Sequence, residues 1–158
     1  SVPFGQMIFA NSQTAFGVEI CEDLWTRIPP SNLHALAGAN VIVNLSASNE
    51  LVGKGARRRN LVKSQSSQLL AAYIYACAGV GESTTDSVFA GHNMIAENGS
   101  ILAEKRFATG LCVTEIDVQK LRSERRRIGS FMTEEREDYT EIIFTYLMAK
   151  QEPDLSAY

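Results

Sequence analysis

Val41-Ile42-Val43-Asn44-Leu45 is a continuous, largely β-branched run, and such a run reads as a strand buried on both faces. From about Ala56 it gives way to a helix in which Leu61, Val62, Gln65, Leu69 and Ala72 follow helical spacing. A second buried strand follows over 73–80. Helices that alternate with buried strands define an α/β fold with a mixed sheet. The remaining elements fit that class. Strands are predicted at 7–10 and 15–21, joined by the polar turn Asn11-Ser12-Gln13. Ser31 is placed to cap a short helix that Gly38 closes. Glu97-Asn98-Gly99-Ser100 joins 94–96 to 101–103 as a hairpin, 110–116 reads as a further strand, and Asp117 as a helix cap.

Residues 1–131 therefore read as one unit, and 132–158 as another kind of segment. Positions 133–138 are charged; beyond them Tyr139, Ile142, Ile143, Tyr146 and Leu147 form an apolar stripe at helical spacing that Pro153 ends. This predicts a charged linker and an amphipathic helix packed on a partner or on another domain. A net charge of −3 over 158 residues gives no electrostatic case for nucleic acid or an acidic membrane surface. No apolar run is long enough to span a bilayer, and nothing at the start resembles a signal peptide. Three well-separated cysteines point to free thiols in a reducing compartment, with cytoplasm the expectation. Neither cysteines nor histidines have metal-ligand spacing, so no metal site is expected. Arg57-Arg58-Arg59 crowds the first turns of the long helix, as a solvated face or as a surface for a partner or an anion.

The chemistry concentrates at Gly17-Val18-Glu19-Ile20-Cys21-Glu22-Asp23-Leu24-Trp25. Cys21 ends an apolar strand just before two carboxylates and a turn, where a thiol can meet a carbonyl substrate. Its bland alternative is a small buried hydrophobe. Cys77 and Cys112 read as core thiols. Glu19 lies two positions from Cys21, on the same strand face, and reads as a buried or supporting carboxylate. Three loops follow strand ends, at 21–23, 46–48 and 79–86, where ligand sites of open α/β sheets form.

Gly17 to Trp25, Asn44-Leu45-Ser46-Ala47-Ser48, Gly81-Glu82-Ser83-Thr84-Thr85-Asp86 and Glu97-Asn98-Gly99 together resemble the nitrilase superfamily. More closely they resemble its glutamine amidotransferase domains in bacterial glutamine-dependent NAD(+) synthetases, over about residues 2–131. The resemblance implies a four-layer αββα sandwich with mixed sheets and a Glu-Lys-Cys triad. Cysteine attacks the side-chain amide of glutamine, a thioester forms, and ammonia passes to a synthetase domain that uses ATP, Mg and deamido-NAD(+). Carried over by position, Cys21 matches the nucleophile and the backbone N–H of Glu22 the oxyanion donor. Ser48 and Lys54 match glutamine-contacting residues; without the resemblance each reads as an ordinary polar loop residue. The family's glutamate and lysine lie upstream of the cysteine, and the twenty residues before Cys21 contain no lysine. The expectation is thus the C-terminal half of the domain. Its partners would be the first half, a synthetase domain and further copies of the chain, with no cofactor held by these residues and negligible activity alone. An amidase or carbamoylase with another small amide substrate, or a non-catalytic interaction module, are the competing readings.

Overall fold

In the computed structural model, residues 5–82, 86–131 and 138–145 are described. They form a seven-stranded mixed sheet with helices. The strands are β1 (Met7–Ala10), β2 (Ala15–Ile20), β3 (Val41–Ser46), β4 (Ala72–Cys77), β5 (Asn93–Glu97), β6 (Ser100–Lys105) and β7 (Thr140–Ile143). Helices α1 (Pro30–Leu36), α2 (Lys54–Gln68) and α3 (Val118–Arg127) complete it, with a 3-10 turn at Cys21–Trp25. The sheet order is β6-β5-β4-β3-β2-β1-β7. Strands β2, β3 and β4 run parallel, joined through α1 and α2, while β1, β5 and β6 add antiparallel pairings. The α/β class and the mixed sheet are as the sequence predicts.

One sheet face is closed by the helices. Ile42, Tyr73, Tyr75, Met94 and Ala96 project from it into the core with Val62 and Leu69 from the α2 side, all nearly inaccessible. Gly17 packs directly on α1: a Cβ there would stand 2.7 Å from the His34 ring. Glu19 is also on this face and is buried. It accepts hydrogen bonds from the Ser31 N–H at 2.9 Å, from Asn44 Nδ2 at 3.4 Å and from the Tyr73 hydroxyl. That occupied carboxylate is structural, as its buried or supporting reading implied. The opposite face is apolar too. Pairing puts Val18, Val43, Ile74, Ile95 and Ala103 in one row, and Ile20, Leu45 and Ala76 in the next. In the second row Ile20 is 63% and Leu45 52% exposed.

Several local expectations change. β3 is buried on one face rather than two, because Ile42 and Asn44 meet the helices while Leu45 points to the open side. Ser31 is not the cap of α1; Pro29 is, with Pro30 at the first helical position, and the Ser31 N–H serves Glu19 instead. Residues 110–116 form no strand, and Leu111 and Val113 lie exposed. The predicted amphipathic helix is corrected most plainly. Residues 140–143 are a strand, paired in parallel with β1, so Ile142 stands beside Phe9 and Ile143 beside Ala10. This stretch belongs to the same sheet as the rest. Tyr146 and Leu147, like Ser83, Thr84 and Thr85 and the charged residues at 133–137, lie outside the described residues. Asp117 does cap α3, accepting from the Lys120 N–H at 2.8 Å.

Tyr139, at the entry to β7, is tied to the core through His34. The His34 Nε2 lies 3.0 Å from the Val18 carbonyl and must carry the proton. Its Nδ1 then accepts from the Tyr139 hydroxyl at 2.8 Å. Burial lowers the His34 pKa from 6.5, against the opposing pull of the Val18 carbonyl, so the folded state favours the neutral ring. This contribution to stability is complete above about pH 6.5 and is lost as pH falls through the lowered folded value. We expect thermal stability to decline on acidification below about pH 6.5, and the H34Q variant to show a shallower decline over that window. We also expect G17A to lower unfolding free energy by about 1–3 kcal/mol in denaturant titrations, since its methyl would meet the buried ring.

Candidate active site

The parallel pairing of β2, β3 and β4 aligns Ile20 with Leu45 and Leu45 with Ala76, so the residues that follow emerge side by side at one sheet edge. There Cys21 adopts φ +50°, a left-handed backbone that a residue with a Cβ rarely takes. This kink turns the chain from strand into the 3-10 turn and leaves the thiol half-buried at the mouth of a cleft. Asp23 locks the kink, because its carboxylate accepts the Ile20 N–H at 2.7 Å. Leu24 anchors the turn in the core. Glu22 is the second residue of the turn, and its N–H is among those with no partner inside such a turn.

The cleft beyond Cys21 has a volume of about 770 Å³ and is lined by Glu22, Trp25, Ser48, Lys54 and Arg57, among others. A second hollow of about 450 Å³ continues past Cys21 to Ala47, Cys77 and Glu82. The three strand-end loops thus meet at the thiol, in the parts that are described. All four predicted site residues, Cys21, Glu22, Ser48 and Lys54, line the one cleft. Lys54 opens α2; its Nζ donates to Asn49 Oδ1 and lies 5.6 Å from the Trp25 ring centre. Arg57 approaches the same ring at 5.4 Å. The cleft therefore carries two cations beside an indole, a wall suited to a carboxylate-bearing ligand.

Ser48 is buried and held in a network that the sequence reading missed. The Arg58 side chain is wholly inaccessible, although it sits in the middle of an arginine triplet read as a solvated or partner-binding face. Its Nη2 donates to Ser48 Oγ at 3.1 Å and to the Asn49 carbonyl at 3.2 Å. Its Nη1 donates to Glu50 at 3.2 Å and to His92 Nδ1 at 3.0 Å. Guanidinium only donates, so His92 carries its proton on Nε2, which donates a hydrogen bond to Glu104 at 2.8 Å. Arg59 and Arg106 close the network on Glu104 and Glu50, each at 2.8 Å. Burial works to raise the Glu50 carboxyl pKa, but hydrogen bonds from Arg58 and Arg106 outweigh it and hold the group below the ordinary value. Helical periodicity alone marks this position: Arg58 lies four residues before Val62, on the buried face of α2.

The family model for carbon-nitrogen hydrolases matches residues 1–126. The chain belongs to the carbon-nitrogen hydrolase family. Glutamine-dependent NAD(+) synthetase of Mycobacterium tuberculosis is 49% identical over 137 residues, covering 82% of this chain and 20% of the relative. The crystal structure of a glutamine-dependent NAD(+) synthetase from Cytophaga hutchinsonii superposes with a TM-score of 0.57 at 30% identity, covering 67% of this chain and 17% of that one. A carbon-nitrogen hydrolase from Helicobacter pylori shares the fold, with a TM-score of 0.64 at 18% identity over 82% of this chain and 49% of that one. The chain thus spans about a fifth of the length of the curated relative. The motif resemblance to the nitrilase superfamily and its glutamine-dependent branch agrees with these matches. Among the described residues no helix is long and apolar enough to cross a membrane, and no cluster of ligating side chains stands ready for a metal ion.

Cys77 shares the second hollow with Cys21 but differs chemically. Burial raises its thiol pKa, outweighing the opposing effects of the Ser48 backbone and the Arg58 charge. At neutral pH we expect haloacetamide labelling, followed by peptide mapping, to modify Cys77 more slowly than a free cysteine of ordinary pKa, with the gap narrowing as pH rises.

Proposed function

We propose that this carbon-nitrogen hydrolase domain hydrolyses the side-chain amide of glutamine and supplies the ammonia to a synthetase domain of the same protein. The observation that carries the reading is Cys21, set by a left-handed kink at a parallel-strand end, facing a cleft whose wall bears Ser48, Lys54 and Arg57. The thiolate attacks the amide carbonyl, and the Glu22 N–H receives the oxyanion, a role worth several kcal/mol in such sites. Collapse expels ammonia and leaves a glutamyl thioester, which water hydrolyses to glutamate and the free thiol. Lys54 attracts the substrate's α-carboxylate and Ser48 offers it a hydroxyl.

A base and a cation beside the thiol complete such a triad. Among the described residues the carboxylates lining the two hollows are Glu22, assigned here through its N–H, and Glu82, which is committed to the Gly79 N–H at 2.8 Å. Lys54, held by Asn49 beside Trp25, is the group assigned to the substrate's α-carboxylate rather than to the oxyanion. Both catalytic groups are therefore proposed to come from chain outside these 158 residues. The exposed row Ile20, Leu45 and Ala76 offers that first half of the domain an apolar sheet to pack on, giving the four-layer sandwich. ATP, Mg and deamido-NAD(+) would belong to the synthetase domain. These residues by themselves are expected to release no ammonia.

In the natural, uninterrupted chain, C21A is expected to lower ammonia release from glutamine by about a thousandfold or more, with glutamine strongly preferred over simple amides. S48A and K54A should each raise KM by roughly tenfold with smaller effects on kcat. Release that persists in C21A would refute the assignment, and a preference for simple amides would favour an ordinary amidase.

A further inference from the structure

Arg58 does not line the cleft, and its side chain is wholly buried. A buried guanidinium is costly unless its donors are matched; here both Nη groups find specific partners, while the buried Nε has none. Nη2 reaches Ser48 Oγ and the Asn49 carbonyl, adjacent groups of the loop that lines the cleft. Nη1 reaches Glu50 and His92. The loop is also fixed from its outer side, where the Asn49 side chain receives Lys54 Nζ. Lys54 and Arg58 are one turn apart on α2, so one helix face grips Asn49 by its side chain and by its carbonyl.

The donor direction has a consequence for Ser48. Its oxygen accepts from Arg58, so its own proton is not used in that bond and is left for the neighbouring Tyr75 hydroxyl or for an acceptor in the cleft. With Arg58 absent, the hydroxyl would be free to rotate and the Ser48–Asn49 backbone would lose its anchor. We propose that Arg58 is a positioning residue of the substrate cleft: by holding Ser48 Oγ and the Asn49 carbonyl, it orients the Ser48 hydroxyl as a donor and fixes the spacing between Ser48 and Lys54. Glu50 and His92 hold the guanidinium in turn, braced by Arg106 and Glu104. The proposal rests on the reading of this cleft as the glutamine site.

The test uses the natural full-length chain. Wild type must first show glutamine-dependent ammonia release that C21A abolishes; without it the functional reading fails, and this role with it. R58K keeps the charge but lacks the planar fork, so it cannot hold both loop groups together. We expect its KM for glutamine to rise about tenfold or more, while kcat per haloacetamide-reactive Cys21 stays within about threefold of wild type. Because Arg58 acts through Ser48, the S48A/R58K double variant should have a KM within about threefold of S48A alone. A merely structural role would lower the count of reactive Cys21 and leave KM unchanged, and that result would overturn the proposal. So would KM increases that multiply in the double variant. Should R58K not fold, E50Q removes the charge that faces Arg58 and is expected to raise KM in the same way; an unchanged KM there overturns the proposal equally.

Discussion

Three parallel strands ending in register at one edge are the constraint on which the rest depends. β2, β3 and β4 pair so that Ile20, Leu45 and Ala76 lie abreast, and whatever follows each strand must enter the same space. A parallel arrangement needs crossovers, and α1 and α2 supply them on one face of the sheet. That places the α2 N-terminus, with Lys54 and Arg57, over the strand ends. Cys21 then needs only a local device to turn into the cleft, and the left-handed residue stapled by Asp23 is that device. Backbone strain of this kind persists only where the surroundings impose it, and here it sits at the proposed nucleophile.

Much of this was legible from residue order. The β-branched run at 41–45 and the alternation of strand and helix were enough for an α/β fold with a mixed sheet. The Cys21–Trp25 motif pointed to the sheet edge where the cleft lies, because a polar cluster directly after an apolar strand has few other places to lie. What failed did so for physical reasons. Ile142 and Ile143 repeat after Tyr139 as a helical stripe would, yet a four-residue segment with three β-branched side chains pairs as readily with an open strand edge, and β1 offered one. β3 looked buried on both sides because composition cannot say which layer lies in the same chain. Leu45 is apolar for a neighbour beyond the described residues, on the reading proposed above.

Arg58 was the deepest miss. In sequence an arginine triplet reads as solvated charge, and Arg57 and Arg59 follow that rule in part. Arg58 differs because the helix turns it toward Val62 and the core, where Glu50, His92, Ser48 and Asn49 already offer acceptors. Three of those acceptors are consecutive in the loop at 48–50 and His92 lies in another loop, so spacing to Val62 marks Arg58 as buried but does not say what it meets. Glu19 makes the complementary case. Its burial was anticipated, but its partners on α1, β3 and β4 emerge only with the fold. Between them, these two charged side chains bind the helix layer to the sheet and the cleft loop to the helix layer.

The central claim is that Cys21 forms a covalent bond with the amide carbon end of glutamine in this cleft. It is tested most directly by treating the natural full-length chain with a glutamine analogue whose side-chain amide is replaced by a diazoketone, followed by peptide mass mapping. The account predicts a single adduct on the peptide carrying Cys21, slowed by added glutamine and unaffected by a simple amide. Adducts spread over other cysteines, or an adduct on Cys21 that glutamine does not slow, would contradict it.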